Sequence, residues 1–215
     1  MHTMNHSARS VVAAQGETGV YLYWIPLGAG AHVVRTSGRI YEAFSALAQG
    51  RERCDLFHSA LIVVVGGRRF VIEMTPIQDH DGPQSRGVVA EGPVGMRWAG
   101  RFRVFRYEIR RWPDGVIPDL QFAVASPARV TDDEREAQLV VDLVPSVPAL
   151  VWGRDELRAG EMWTCNSVVA WLLTMAGLLQ AAGDPPGGGR APGWEAGITA
   201  GGGAARRVEA RTGRR

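Results

Sequence analysis

The sequence contains no lysine and only two cysteines, Cys54 and Cys165. Because all 24 basic residues are arginine, catalysis by a lysine Schiff base or a lysine general base is excluded. Two cysteines are too few for a disulfide framework or a thiolate metal site, so we predict free thiols and no bound metal or cofactor. Such sparse cysteine usage is typical of a reducing compartment, which predicts a cytoplasmic protein.

Long apolar runs and a strong charge of one sign are also missing. No stretch approaches the roughly 18 apolar residues that cross a bilayer, and residues 1–16 lack the basic-then-apolar order of a secretory signal. The formal net charge is only +2, which is too small to indicate a specific nucleic-acid partner. We therefore predict a soluble chain with no membrane span and no specific nucleic-acid partner.

The hydrophobic content of the sequence is sufficient to form the core of one domain. The chain has 215 residues, of which 46% are hydrophobic, and this suits a single core better than two. Residues 1–17 show no apolar periodicity, and from Asp184 the sequence is rich in glycine, proline and arginine. We predict a single domain over residues 18–183, with disordered segments at 1–17 and 184–215. Trp194 is the exception, because a lone tryptophan in such a tail packs back onto the domain or marks a contact.

The order of the predicted elements indicates the fold class. Apolar patterns predict β-strands at 20–27, 56–65, 68–75, 102–112 and 121–126, and helices at 37–50, 131–145 and 166–177. Thr131 and Glu134 form a capping box at the start of the second helix. Residues 76–100 have little periodicity, which is typical of a stretch that wraps a surface or covers a site. Helices before, between and after a block of strands predict an α+β domain, with helices packed on a central antiparallel sheet.

Cys165 lies where the third predicted helix begins, at Asn166 or Ser167. Unpaired amides and the dipole at a helix N-terminus favour a thiolate, so Cys165 is a candidate nucleophile. The alternative is that Cys165 only extends the buried stripe of this helix, since it precedes Val168 by three residues.

His58 opens a strongly predicted strand and is the candidate base. A two-residue turn at Gly66-Gly67 would pair Ala60 with Glu73, which puts His58 and Glu73 on the same face as diagonal neighbours. A carboxylate in that position can orient the imidazole. The alternatives are a His58 bonded to backbone and a solvated Glu73 on a half-exposed sheet.

Two segments resemble a known superfamily. FHSALIVVVGGRRFVIEM and WTCNSVVAWLL are similar to the histidine hairpin and the cysteine helix of the circularly permuted papain-like NlpC superfamily. That superfamily includes the PPPDE-type deubiquitinating peptidases and the lecithin retinol acyltransferase group. The resemblance implies a permuted papain-like arrangement, with the histidine hairpin before the cysteine helix. It also implies that Cys165 is the nucleophile, His58 the general base and Glu73 the orienting group.

Two hypotheses about function follow. The first is a thiol hydrolase or acyltransferase that acts on an amide, isopeptide or thioester, so that its partner is a peptide or a small acyl substrate. A backbone amide near the helix start, together with Asn166, would then stabilise the oxyanion. The second is a catalytically inactive binding domain of the same fold, whose contact surface is formed by residues 76–100 and by the tryptophans Trp98, Trp112, Trp152 and Trp163.

Overall fold

The computed structural model describes residues 16–27, 54–77, 87–117 and 119–212, with side chains up to residue 204. The predicted helix at 37–50 lies outside these residues, as does nearly all of the segment 1–17. None of the described helices is long and apolar enough to cross a membrane.

A six-stranded sheet organises the described part of the chain, and every pairing between neighbouring strands is antiparallel. The strands lie in the order β4-β5-β3-β2-β1-β6. Together with the helices packed on the sheet, this confirms the α+β class and the central antiparallel sheet. The strand bounds are β1 Gly19–Pro26, β2 Phe57–Val65, β3 Arg68–Pro76, β4 Val88–Pro93, β5 Arg106–Pro113 and β6 Val124–Thr131.

Three α-helices are present within the described residues: α1 Glu134–Leu143, α2 Cys165–Met175 and α3 Trp194–Thr212. The N-cap of α1 is Asp133, whose carboxylate accepts hydrogen bonds from two backbone N–H groups of the first turn. The predicted Thr131 cap is therefore wrong. Thr131 is the last residue of β6, and its hydroxyl lies 2.5 Å from a carboxylate oxygen of Glu136.

The hairpin of β2 and β3 has the predicted turn and register. Gly66 and Gly67 both have positive φ, at 56° and 70°, which suits the twist of a two-residue hairpin turn. Leu61 pairs with Ile72 and the pairing continues to the turn. One face of the sheet joins α1 and α2 in the main core, whereas the other carries a smaller apolar cluster that includes Val71 and Ile117.

Pairing between β2 and β3 ends at Leu61 and Ile72, although β2 continues beside β1 as far as Phe57 and Pro26. The first four residues of β2 therefore have no β3 partner. The Leu27 N–H donates to the Leu56 carbonyl, which therefore faces β1. Because backbone groups alternate along a strand, those of Phe57 and Ser59 face the opposite side, where β3 no longer pairs with β2. This open edge receives the start of α2.

The C-terminal segment differs from the prediction of disorder over 184–215, because α3 packs closely against α2. A Cβ atom at Gly197 would clash with the Ser167 carbonyl, and one at Gly201 would lie 2.8 Å from the Thr174 side chain. These two glycines are four residues apart and face the same way, so they let the helices approach closely. The glycine content that predicts disorder by composition therefore serves helix packing here.

Trp194 packs back onto the domain, which is the first of its two predicted alternatives. Its ring centroid lies 5.1 Å from that of Trp24 in β1. The tryptophan thus fixes the first turn of α3 to the sheet.

The stretch that precedes β5 is more structured than its sequence pattern predicts. Residues 76–100 include the edge strand β4, while two 3₁₀ turns occupy Arg97–Arg101 and Arg103–Phe105. Strand β5 therefore begins four residues later than predicted. The strand predicted at 121–126 is shifted as well, because Leu120–Phe122 forms a 3₁₀ turn and β6 begins at Val124.

Candidate active site

Helix α2 begins at Cys165, one residue before the predicted start. Its N-cap is Thr164, whose hydroxyl accepts a hydrogen bond from the Asn166 N–H at 3.2 Å. The Ser167 hydroxyl accepts the Thr164 N–H at 2.9 Å, which completes a capping box. Because the cap precedes it, Cys165 occupies the first helical position, where the amides and the helix dipole favour negative charge.

His58 and Cys165 are in direct contact, although 107 positions of sequence separate them. The distance from His58 Nδ1 to Cys165 Sγ is 2.9 Å. Cys165 is 7% exposed, and His58 is partly exposed. The structure therefore brings together the predicted nucleophile and the predicted base at the point where β2 and β3 separate.

Asn166 holds the helix start against the open edge of β2. Its side-chain oxygen accepts the Ser59 N–H and the Ser59 hydroxyl, each at 2.8 Å. Its side-chain nitrogen donates to the carbonyls of Phe57 at 2.9 Å and Pro192 at 3.0 Å. The side-chain nitrogen thus already has two acceptors and Asn166 is 1% exposed, so this arrangement leaves no side-chain amide hydrogen for the oxyanion role predicted for Asn166. Asn166 instead takes the place of β3 as the hydrogen-bonding partner of β2 and so positions Cys165.

The C-terminal segment encloses the helix start from the other side. The Pro192 carbonyl accepts the Thr164 hydroxyl at 2.6 Å, and the Gly193 carbonyl accepts the Ser167 hydroxyl at 2.6 Å. The Phe57 N–H donates to the Arg190 carbonyl at 2.8 Å. Residues 190–193 thus contact both α2 and β2, although the sequence pattern places them in a disordered tail.

Glu161 secures this segment through three contacts. One carboxylate oxygen lies 2.8 Å from Arg190 Nη2, and the other accepts the backbone N–H groups of Gly193 at 2.8 Å and Glu195 at 3.2 Å. A carboxylate at the N-terminus of α3 is favoured by the free amides and by the helix dipole. Glu161 therefore links the loop before α2 to the first turn of α3.

Electrostatic interactions favour a thiolate–imidazolium pair. Burial lowers the pKa of His58, but Cys165, Glu73 and Asp119 raise it by more, to about 8. Burial raises the pKa of Cys165, but His58 and the backbone N–H groups of Cys165 and Asn166 lower it by more, to below its usual range. Each group therefore stabilises the charged form of the other.

Glu73 lies on the predicted face of the sheet, but it is bonded to an arginine and not to the His58 ring. Its carboxylate lies 3.3 Å from Arg110 Nη1, and Arg110 Nε donates to Glu108 at 3.0 Å. All three side chains are buried. Burial raises the pKa of Glu73, and the charges of His58 and Arg110 offset part of that increase. Glu73 therefore acts on His58 through charge, and the predicted orienting hydrogen bond is not formed.

Arg110 and Glu108 are parts of the site that the sequence analysis missed. They alternate along β5 with the buried Tyr107 and Ile109, and Arg110 is the cross-strand partner of Glu73. The carboxylate of Glu73 lies inside an apolar run, and a buried charge requires a partner. That pattern indicates an arginine on the same face of a neighbouring strand, and Arg110 is that residue.

Two further features concern the surroundings of the site within the described residues. No group of three metal-ligating side chains occurs among the residues that the structure describes. A cleft of about 420 Å³ lies beside Gly67 and Arg68, at the turn end of the hairpin, whereas His58 lies at the opposite end of β2. The cleft is therefore separate from the thiol.

Comparison with known proteins yields no relative: no protein-family model, no curated protein and no solved structure matches this chain.

Proposed function

We propose that this protein is a thiol hydrolase or acyltransferase that attacks an amide, isopeptide or thioester with Cys165 and uses His58 to transfer the proton. The observation that carries the proposal is the 2.9 Å contact between His58 Nδ1 and Cys165 Sγ. The opposite pKa shifts of the two groups support it, because a reactive cysteine needs both a thiolate and a nearby acid.

The reaction proceeds in two balanced steps. The thiolate attacks the carbonyl carbon and forms a C–S bond, the scissile C–N or C–S bond breaks, and the His58 proton passes to the leaving atom. A water molecule, assisted by neutral His58, then attacks the acyl-enzyme. This releases a carboxylic acid and restores the thiolate–imidazolium pair. A hydroxyl or amine acceptor in place of water gives acyl transfer.

Backbone amides at the start of α2 supply the electrostatic stabilisation. The N–H groups of Cys165 and Asn166 both lower the pKa of the thiol, as amides in the first turn of a helix do. The Asn166 N–H also donates to the Thr164 hydroxyl, so the Cys165 N–H is the better candidate for an oxyanion formed on the attacked carbonyl. This role belongs to backbone atoms, because the side chain of Asn166 is fully engaged.

The order of the site residues along the chain supports a permuted papain-like arrangement as part of the proposal. His58 lies in β2, within the first hairpin of the described sheet, and Cys165 follows at the start of α2. A cytoplasmic location belongs to the same proposal, since Cys54 and Cys165 form no disulfide and the mechanism requires a reduced thiol.

A catalytically inactive binding domain is the second candidate, and one observation favours it. Cys165 is only 7% exposed, whereas attack on a carbonyl requires the substrate to reach the sulfur. If the sulfur is closed to substrates, the same pair of residues would serve only to stabilise the fold.

Acylation of the thiol decides between the two candidates. The protein is incubated with peptidyl thioesters and peptidyl anilides, and covalent adducts are located by intact-mass and peptide-mapping mass spectrometry. We expect an acyl adduct on Cys165, followed by its hydrolysis. Cys165→Ala should form none, and His58→Asn should slow turnover by about 100-fold or more.

Cys54 provides the matched control, because it is the other cysteine of the chain. Cys54→Ser should acylate and turn over like the wild type. Equal and slow labelling of Cys54 and Cys165 would rule out the hydrolase and favour the inactive binding domain.

A further inference from the structure

An exposed ridge of arginines and apolar side chains is formed by residues 96–106, with the sequence MRWAGRFRVFR. Its two 3₁₀ turns direct large apolar side chains into solvent. Val104 is 81% exposed and Trp98 is 60% exposed, while Met96, Phe102 and Phe105 are each close to half exposed. A cluster of this kind is unusual on a soluble protein and generally marks an interaction surface.

The charge of the ridge is positive. It contains four arginines and no acidic residue. Arg97 and Arg106 form ion pairs with Glu156 and Glu91 at 2.8 Å and 3.1 Å. The ridge itself therefore carries only positive side-chain charge, which indicates an anionic partner.

One of these arginines is held against the aromatic rings. The Arg101 guanidinium lies 5.3 Å from the centre of the Trp98 ring and 5.1 Å from that of Phe102. Stacking on aromatic faces lets a guanidinium remain close to apolar surroundings while it keeps its charge. The ridge therefore places a cationic group in direct contact with its aromatic side chains.

Part of the backbone of the ridge is already hydrogen-bonded. The N–H groups of Ala99, Phe102 and Phe105 each donate to the carbonyl three residues earlier. The Arg106 side chain donates to the Gly100 carbonyl, and the Phe105 carbonyl accepts the Val94 N–H. These groups are therefore not available to pair with an added peptide strand.

The ridge lies at the same end of the sheet as the candidate site. It leads into Arg106 at the start of β5, which pairs with the end of β4 and lies next to the end of β3. In an antiparallel hairpin the end of β3 is level with the start of β2, where His58 lies. Trp152 bridges Val94 at the base of the ridge to Trp163, two residues before Cys165.

We propose that this ridge binds the surface of a lipid bilayer that contains anionic phospholipids. The aromatic rings and the aliphatic Val104 would enter the interfacial region while the arginines contact phosphate groups. A bilayer fits better than single-stranded nucleic acid, because Val104 offers no face for base stacking and Arg101 already lies over the rings of Trp98 and Phe102. It fits better than an added peptide strand, because several backbone groups of the ridge are already hydrogen-bonded. This inference does not depend on the Cys165 chemistry.

Vesicle co-sedimentation tests the proposal with the full chain. Vesicles of phosphatidylcholine alone are compared with vesicles of an equal mixture of phosphatidylcholine and phosphatidylserine. We expect binding to the mixed vesicles that weakens with added salt. Arg101→Gln should weaken that binding by about five-fold, from about 1 kcal/mol per arginine near an anionic surface. Val104→Ser should also weaken it severalfold through the loss of apolar contact.

Val116→Ser and Arg135→Gln are the matched controls. Val116 is 66% exposed and lies by the cleft at the turn end of the hairpin, while Arg135 is an exposed residue of α1. Both variants should bind vesicles like the wild type. The proposal is overturned if the wild type does not bind mixed vesicles, or if Val104→Ser binds as well as Val116→Ser. Capture of a protein by the ridge without vesicle binding would also contradict it.

Discussion

At the scale of single residues, the state of the site depends on which charges surround one imidazole. His58 is close to Cys165, Glu73 and Asp119, all of which favour its protonated form. Arg110 is directed at Glu73 and Glu108 and so neutralises part of the negative charge behind His58. Of the groups that raise the pKa of His58, Cys165 has the largest effect, so the charged state of the ring depends mainly on the sulfur.

Removal of the thiol should therefore lower the pKa of His58. In the wild type we expect the ring to lose its proton at about pH 8, observed by NMR titration of the imidazole signals. In Cys165→Ser the largest favourable charge is lost and burial still disfavours the imidazolium, so the pKa should decrease. An unchanged His58 titration in Cys165→Ser would show that the ion pair does not form.

The same charges set the sign of the pH dependence of the proposed activity. The reactive state requires thiolate and imidazolium together. It is lost at low pH, as Cys165 is protonated below its lowered pKa, and at high pH, as His58 loses its proton near pH 8. The rate should therefore follow a bell-shaped profile whose basic limb belongs to His58.

The contact between Cys165 and His58 could be predicted from the sequence, but the surroundings of the two residues could not. Cys165 and His58 could be singled out because a helix start and a strand start are visible in local patterns. The bonding of Asn166 could not, since its four partners lie in Ser59, Phe57 and Pro192 and no local pattern connects those segments.

At the scale of elements, the start of α2 is held by parts of the chain that are far apart in sequence. Strand β2 binds Asn166, residues 190–193 bind Thr164 and Ser167, and Glu161 holds residues 190–193 in turn. Because the sulfur belongs to the first residue of α2, small movements of these supports change its distance to His58. Glu161 is thus a positioning residue that acts through Arg190 and Gly193.

Glu161→Gln should reduce the reactivity of Cys165 even though Glu161 does not contact the sulfur. Loss of its charged bonds should lower the free energy of unfolding by about 1 to 3 kcal/mol. If the support loosens, the thiolate loses its close imidazolium, so alkylation of Cys165 at about pH 6 should become severalfold slower. The measurement is the rate of iodoacetamide labelling of Cys165 against pH, resolved by peptide mapping.

Glu156→Gln is the matched control for this variant. Like Glu161, Glu156 binds one arginine, at 2.8 Å, but it accepts one backbone N–H, at 2.9 Å, and not two. The side chains of Glu156 and Glu161 are similarly exposed, at 20% and 16%. Glu156→Gln should lower stability in the same way but leave the labelling profile of Cys165 unchanged. Equal labelling profiles for the two variants would mean that Glu161 is only structural.

Elements differ in how far the sequence predicts them. The β2–β3 hairpin follows from Gly66-Gly67 and from strand alternation, so its register was predictable. The start of β5 was not predictable. Phe102, Val104 and Phe105 are typical of a strand, but all three are exposed and Arg103–Phe105 forms a 3₁₀ turn. Alternation specifies which face a side chain takes, but not whether a neighbouring strand is present to pair with it.

At the scale of the whole molecule, the domain continues into the segment that composition marks as a tail. Helix α3 covers α2, and the turn before it completes the site. Composition fails here because it counts glycines without their spacing. Gly197 and Gly201 lie against α2, whereas a side chain at Gly202 would meet nothing within 4 Å. The same residue type therefore has opposite roles at neighbouring positions of one helix.

Alanine substitutions at Gly197 and at Gly202, compared with each other, test whether α3 unfolds together with the sheet. In Gly197→Ala the new Cβ would lie 2.7 Å from the Ala170 side chain and against the Ser167 carbonyl, so overpacking of about 1 to 3 kcal/mol should exceed the gain in helix propensity. In Gly202→Ala only the gain remains, up to about 1 kcal/mol.

The measurement is the free energy of unfolding from denaturant titration, monitored by tryptophan fluorescence and by circular dichroism. If α3 belongs to the cooperative unit, Gly197→Ala should shift the single transition to lower denaturant concentration, and Gly202→Ala should leave it unchanged or raise it. If α3 frays independently of the sheet, neither substitution will move the fluorescence transition. In that case residues 190–193 could not hold the start of α2 in place, and the support assigned to Glu161 would be wrong as well.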